Sequence, residues 1–158
     1  MLQSLHIVNF AIIEDTIIEL TDGATVFTGE TGAGKSILID ALAILLGRRA
    51  RTHLIRTGAE FFKVEGVFSA DDEIVSILSS FGFDAADSQI IITRKLNRSG
   101  RGICTINGDF CTVKQLEFIG RKLVRLHEQN DAIELLSSEY CRRIIDRFTP
   151  EISTLRDE

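Results

Sequence analysis

Apolar and polar positions alternate from the start of the chain. Leu5, Ile7 and Phe10 set against Ser4, His6 and Asn9 predict a strand over residues 2–9, and residues 12–20 continue as a second strand. Thr21-Asp22-Gly23 reads as a turn, and the β-rich run at 24–28 as a further strand. The pattern then changes. Residues 36–46 are apolar nearly all round with Asp40 as the single charge, which predicts a helix buried beneath a sheet and capped by Gly47. Alternation returns at Phe62, Val64, Gly66 and Phe68 against Lys63, Glu65 and Val67. Asp71-Asp72-Glu73 are acids suited to a helix start, Ile74, Ile77, Leu78 and Phe81 recur at helical spacing, and Gly82 ends the helix.

The second half follows the same grammar. Residues 89–96 predict a strand, Asn97 to Gly102 a turn, and 103–106 a returning strand, with Asn107-Gly108 a strong hairpin signal. Residues 112–122 predict a helix with Val113, Leu116 and Ile119 inward, then a short strand at 123–126. Leu136, Tyr140, Ile144 and Phe148 place a helix over 135–148. Thr149-Pro150-Glu151 is a further helix start, from a cap, a proline at the first position and an acid in the first turn. That helix stops soon after it begins, as in a truncated chain.

Composition narrows the class. A length of 158 residues, 44% hydrophobic content and one proline fit a single globular α/β domain. The three cysteines, Cys104, Cys111 and Cys141, are odd in number and lack C-x-x-C spacing, which points to free thiols in a reducing compartment and to no zinc site. No signal peptide or membrane-spanning run is visible, so the expected location is cytoplasmic, with no membrane partner. A net charge of −5 argues against a surface coated for non-specific DNA binding and leaves room for a local basic patch.

The chemistry is concentrated at Gly29-Glu30-Thr31-Gly32-Ala33-Gly34-Lys35-Ser36, which fits G-x-x-x-x-G-K-[ST] between an expected strand and an expected helix. Its glycines allow a tight turn that points backbone N–H groups inward at the positive end of the following helix, making a phosphate cradle. Lys35 is suited to the β- and γ-phosphates of ATP and the Ser36 hydroxyl to Mg²⁺. Arg48, Arg49, Arg51 and Arg56 cluster after the helix, and composition alone favours a solvated basic loop. Arg94, Lys95, Arg98 and Arg101 form the most basic stretch; it either touches a phosphate backbone or charges a sheet edge against aggregation, and the sequence leaves both open. His127-Glu128-Gln129-Asn130-Asp131 is a polar cluster just past an expected strand, where α/β proteins place sites; a turn with a helix cap is the plainer account. No apolar strand ending in Asp-Glu follows the phosphate loop, and no Leu-Ser-Gly-Gly stretch occurs.

Several segments in this order carry a resemblance. Leu5-His6-Ile7-Val8-Asn9-Phe10-Ala11-Ile12, the stretch Thr28 to Leu42, Leu46-Gly47-Arg48-Arg49-Ala50, Ile55-Arg56-Thr57-Gly58-Ala59, the hairpin from Arg101 to Gly108, and Leu123-Val124-Arg125-Leu126-His127-Glu128-Gln129-Asn130 resemble the ATPase heads related to SMC proteins, and among them the RecN family of DNA-repair ATPases. The resemblance implies an α/β P-loop NTPase fold, the N-terminal lobe of an ABC/SMC-type head, with a mixed β-sheet around the P-loop helix. It implies an ATP-binding lobe over 1–148 and the start of a coiled coil over 149–158. Nucleotide contacts would come from Gly29, Glu30, Thr31, Gly32, Ala33, Gly34, Lys35, Ser36, Ile37 and Arg56, with Arg49 a second basic candidate. Mg²⁺ would be held by Ser36 and Gln129, and Lys35 and Gln129 would serve catalysis. The implied partners are the C-terminal lobe of the same protein, a second head by homodimerisation, and DNA. Where the family commonly has His-Gly-Gln-His, this chain has His127-Glu128-Gln129-Asn130, an extra acid and one His fewer. The lobe alone should bind ATP without turnover. A small P-loop kinase and a nucleotide-gated assembly module that never hydrolyses are the rival readings.

Overall fold

The computed structural model describes residues 1–28, 34–84 and 89–126. Apart from Leu126 they belong to one compact unit, Met1–Arg125. The polar cluster at 127–131, the helix expected at 135–148 and the coiled-coil start at 149–158 lie outside the described residues.

A six-stranded sheet carries the unit, in the order β2-β1-β3-β4-β5-β6. Its strands are β1 (Leu2–Phe10), β2 (Ile13–Glu19), β3 (Phe61–Ser69), β4 (Gln89–Asn97), β5 (Gly102–Ile106) and β6 (Asp109–Phe110). Every pairing among the described residues is antiparallel. Alternation does what period-two patterning requires: along β3, Phe62, Val64, Gly66 and Phe68 are buried while Lys63, Glu65 and Val67 face the other side. The β5–β6 turn is Asn107-Gly108 with φ of 50° and 90°, the doubly positive pair of a type I′ hairpin.

One face of the sheet packs against helices. These are α1 (Lys35–Leu45), α2 (Asp72–Ser80) and α3 (Val113–Leu123), with a short 3₁₀ turn at Thr52–Leu54. The core joins Leu5, Ile7, Phe10, Phe62, Val64, Phe68, Ile90, Ile92 and Ile106 of the strands to Ala41, Ile44, Leu45, Leu78, Leu116 and Ile119 of the helices. Phe10 meets Phe62 edge to face, with ring centroids 5.1 Å apart. Two glycines set how closely α1 and α3 approach. A Cβ on Gly120 would lie 2.6 Å from the Leu46 carbonyl oxygen, and one on Gly47 would lie 2.7 Å from the Glu117 Cα.

Three expectations from the sequence are corrected. Residues 24–28 form no strand; Val26 and Phe27 are 78% and 48% exposed, because a strand needs a hydrogen-bonding neighbour and none of the described strands supplies one. The strand expected at 123–126 is likewise not formed: α3 runs through Leu123, and the N–H of the extended Val124 beyond it donates to the Gly120 carbonyl at 3.0 Å. Helix α1 is buried only in its second half, with Ile39 still 44% exposed. A smaller difference is Val113, which sits at the first position of α3 and is 43% exposed while Leu116 and Ile119 point inward.

Candidate functional site: the open end of helix α1

Helices α2 and α3 close their own N-termini. Asp71 accepts a hydrogen bond from the Ile74 N–H at 2.9 Å. Thr112 and Gln115 form a reciprocal capping box. Helix α1 has neither device. Its N-cap is Gly34, at φ 101°, with no side-chain cap and no acid in the first turn. A left-handed residue there is natural only for glycine. The first backbone N–H groups of an α-helix have no partner within the helix, so this end presents donors and the positive end of the helix dipole together. Lys35 and Ser36 are the first helical residues, with Ser36 exposed. The donors fit a phosphate group: backbone amides, an ammonium and a hydroxyl, with no acid in the first turn of α1. Gly29 to Ala33 lie outside the described residues, as do Glu128 and Gln129.

The basic cluster after α1 does not act as one body. Arg48 turns back to Asp40 at 3.5 Å. Arg49 and Arg51 are exposed. Arg56 is placed by backbone contacts with the first hairpin, its N–H donating to the Asn9 carbonyl at 2.9 Å, next to the bridge between Phe10 and Ile55. Its guanidinium is paired with Glu14 at 3.0 Å. Glu14 went unnoticed in the sequence, and nothing local marks it, because the pair is separated by 42 residues.

The basic stretch around the β4–β5 turn also divides. Arg94 is buried, 6% exposed, on the core face of β4, with a terminal nitrogen 3.2 Å from the Cys104 sulfur. Its place follows from strand alternation, which sends residues 94 and 95 to opposite faces. Cys104 and Cys111 are both free thiols. Burial, reinforced by the neighbouring Cys104, pushes the Cys111 thiol up to about 12 despite the opposing pull of Arg94. Among the described residues no group of His, Cys, Asp or Glu is placed to hold a metal ion, and no helix is long and apolar enough to cross a membrane.

Comparison with known proteins points one way. The sequence matches the AAA domain family over residues 4–152. It is 38% identical over 150 residues to DNA repair protein RecN of Bacillus subtilis (strain 168), covering 94% of this chain and 26% of that protein. It is 34% identical over 157 residues to RecN of Vibrio cholerae, covering 99% of the chain and 28% of the relative. The chain thus spans about a quarter of the length of the curated relatives it matches. Among solved structures, an SMC ATPase from a study of ATP-driven dimerization and DNA-stimulated activation aligns over 94% of this chain and 99% of its own, with TM-score 0.68 and 23% identity. The SMC head domain from Thermotoga maritima aligns over 74% of this chain and 41% of its own, with TM-score 0.58 and 24% identity. These structural likenesses establish the fold, that of a P-loop ATPase head.

Proposed function

The chain belongs to the AAA domain family, and on that premise we propose that it is the ATP-binding lobe of a RecN-like, SMC-related ATPase head that works in DNA double-strand-break repair. The carrying observation is the open N-terminus of α1 directly behind the G-x-x-x-x-G-K-S stretch. In this reading the amides of residues 29–37 and the Lys35 ammonium bind the ATP phosphates, and Ser36 with Gln129 holds Mg²⁺. Arg56 approaches the nucleotide or the partner head, exchanging the Glu14 carboxylate for phosphate. The kinase alternative is not favoured, since the relatives are RecN proteins and the structural neighbours include SMC heads.

The lobe is incomplete as a catalyst. Phosphoryl transfer relies on positioning and charge neutralisation, and this sequence has no apolar strand ending in paired acids and no Leu-Ser-Gly-Gly stretch to complete a composite site. Val26, Phe27 and Ile39, which flank the phosphate-loop sequence on its two sides, are exposed, as large apolar side chains that a second lobe covers would be. The reading includes coiled-coil helices between the lobes, homodimerisation through ATP, and DNA as the substrate of the whole protein.

The test is phosphate release by the chain alone and with the C-terminal lobe added, using Lys35→Ala as the control for contaminating ATPase. The expected result is ATP binding without turnover by the chain and turnover on adding the lobe. Supplying a missing stabilising group in trans to a P-loop enzyme is worth roughly 10³–10⁵-fold. Robust Lys35-dependent turnover by the chain alone refutes the split head. ATP binding with no gain from the added lobe favours the non-hydrolysing module.

A further inference from the structure

The β4–β5 turn carries a groove of about 430 Å³, lined by Lys95, Arg98 and Arg101 together with Glu60, Asn97 and Ser99. We infer that this groove seats the phosphodiester backbone of DNA, a contact that rests on the DNA-repair reading above and gives it a place on this lobe.

For Lys95 the edge-charging account fails on the topology. The sheet ends at β2 and β6, whereas β4 is hydrogen-bonded on both sides, with Lys95 opposite Lys63 on β3 and Ile103 on β5. A lysine in the middle of a sheet protects no edge. The Lys63–Lys95 pairing is itself unfavourable, because like charges directly opposite each other repel. Lys63 relieves part of this by turning to Glu65 at 3.5 Å. Lys95 has no carboxylate among the described residues; its ammonium lies 3.9 Å from the centroid of the Phe61 ring.

The other two cations are presented by a turn that is tied together internally. The Asn97 carboxamide oxygen accepts from the Ser99 hydroxyl at 2.7 Å and from the Arg101 N–H at 2.9 Å. The Arg98 Nε donates to the Ala59 carbonyl at 2.5 Å, which fixes the guanidinium without neutralising it. The Arg101 side chain is exposed and has no ion-pair partner among the described residues. Lys95, Arg98 and Arg101 therefore stand against one carboxylate, Glu60, on a chain whose net charge is −5. Unneutralised guanidinium and ammonium groups around a concave surface, one of them held by the Ala59 carbonyl, match a run of phosphates. With an overall negative charge the chain attracts phosphate only where cations gather, so the contact is a local grip rather than a coat.

The experiment measures binding of a fluorescein-labelled DNA duplex to the full chain by anisotropy across a salt series, with ATP binding by calorimetry on the same preparations. Lys95→Gln with Arg101→Gln is compared with Lys114→Gln and Arg121→Gln on α3, a pair that makes the same change in net charge elsewhere. We expect the groove pair to lower the slope of log affinity against log salt by roughly two, near 0.9 per lost phosphate contact. The α3 pair should leave the slope alone, and ATP affinity should hold in both. Unchanged DNA binding in the groove pair, or equal loss in both pairs, overturns the groove. So does an absence of DNA binding by a chain that still binds ATP, or displacement by polyglutamate as ready as by unlabelled DNA. Preference for an RNA duplex of the same sequence overturns the DNA assignment. Failure to bind ATP at all instead brings down the nucleotide-binding reading above.

Discussion

The two ends of helix α1 are built on opposite principles. At its C-terminus the Gly47 N–H donates to the Ile44 carbonyl at 3.1 Å and the Arg48 N–H to the Ala43 carbonyl at 2.9 Å, the paired bonds of a Schellman closure. That end is buried, and α3 crosses it at a distance only Gly47 and Gly120 permit. At its N-terminus no described side chain caps it: Gly34 offers no cap, and Ser36 and Ile39 are exposed. One end spends its polar groups and its apolar surface on the fold. On the reading proposed above, the other keeps its donors for a ligand and its apolar surface for another piece of protein. Substitutions at the two ends should therefore separate binding from stability.

The largest effect expected is on binding, at the open end. Lys35→Ala should reduce ATP affinity below detection by calorimetry, because the loop backbone provides the shape and Lys35 the charge that meets the phosphates. Unfolding free energy should fall by no more than about 1 kcal/mol, the middle of the range for single substitutions. An unchanged affinity would remove the phosphate-loop assignment.

At the closed end the effect should fall on stability. Gly120→Val places a branched side chain where even a Cβ would be 2.6 Å from the Leu46 carbonyl oxygen. Replacing glycine in a helix gains up to about 1 kcal/mol of propensity, but overpacking typically costs 1–3 kcal/mol, and here the obstruction is backbone that cannot swing aside. Denaturant unfolding should show a net loss of about 1–2 kcal/mol, with ATP affinity retained below the transition. A stabilised variant would mean that α1 and α3 can separate freely.

Magnesium should matter only modestly at the open end. In the proposed site the amides and Lys35 hold phosphate without the metal, and Mg²⁺ usually depends on one or two carboxylates besides the phosphates. Removing Mg²⁺ is expected to change ATP affinity a few-fold. Strict dependence that disappears in Glu128→Ala would instead make Glu128 the metal-holding carboxylate.

What could be read from the sequence follows the range of the forces involved. The faces of β3, the Asn107-Gly108 turn and the closure of α1 at Gly47 are dictated by residues within a few positions of one another, and they appear as expected. The phosphate-loop motif is local too, and the helix expected after it starts at Lys35. Alternation tells which face a residue takes and not what lies beside it. Residues 24–28 have the composition of a strand but no neighbour to pair with, and the exposed half of α1 has the composition of a core helix without a complete cover. The Glu14–Arg56 pair, the fit of Gly120 under Leu46 and the groove at the β4–β5 turn all join distant segments, so no local signal could announce them.

The smallest effect tests the contrast between α1 and a helix that closes itself. At the start of α3 the Thr112 hydroxyl accepts from the Gln115 N–H at 3.2 Å, and the Gln115 carboxamide oxygen accepts from the Thr112 N–H at 2.9 Å. Thr112→Ala leaves the Gln115 N–H without its side-chain partner, a loss of about 1 kcal/mol for a cap of this kind. That corresponds to a fall in Tm of roughly 2–4 °C for a domain of this size. Gln115→Ala should cost less, since the donor it satisfies is exposed to water, and the double variant should lose less than the two single losses together because each removes part of the same box. ATP affinity should be identical in all three. If capping mutations at α3 weakened ATP binding as much as changes at α1, the open end would be sensing general stability, and its missing cap would no longer point to a ligand.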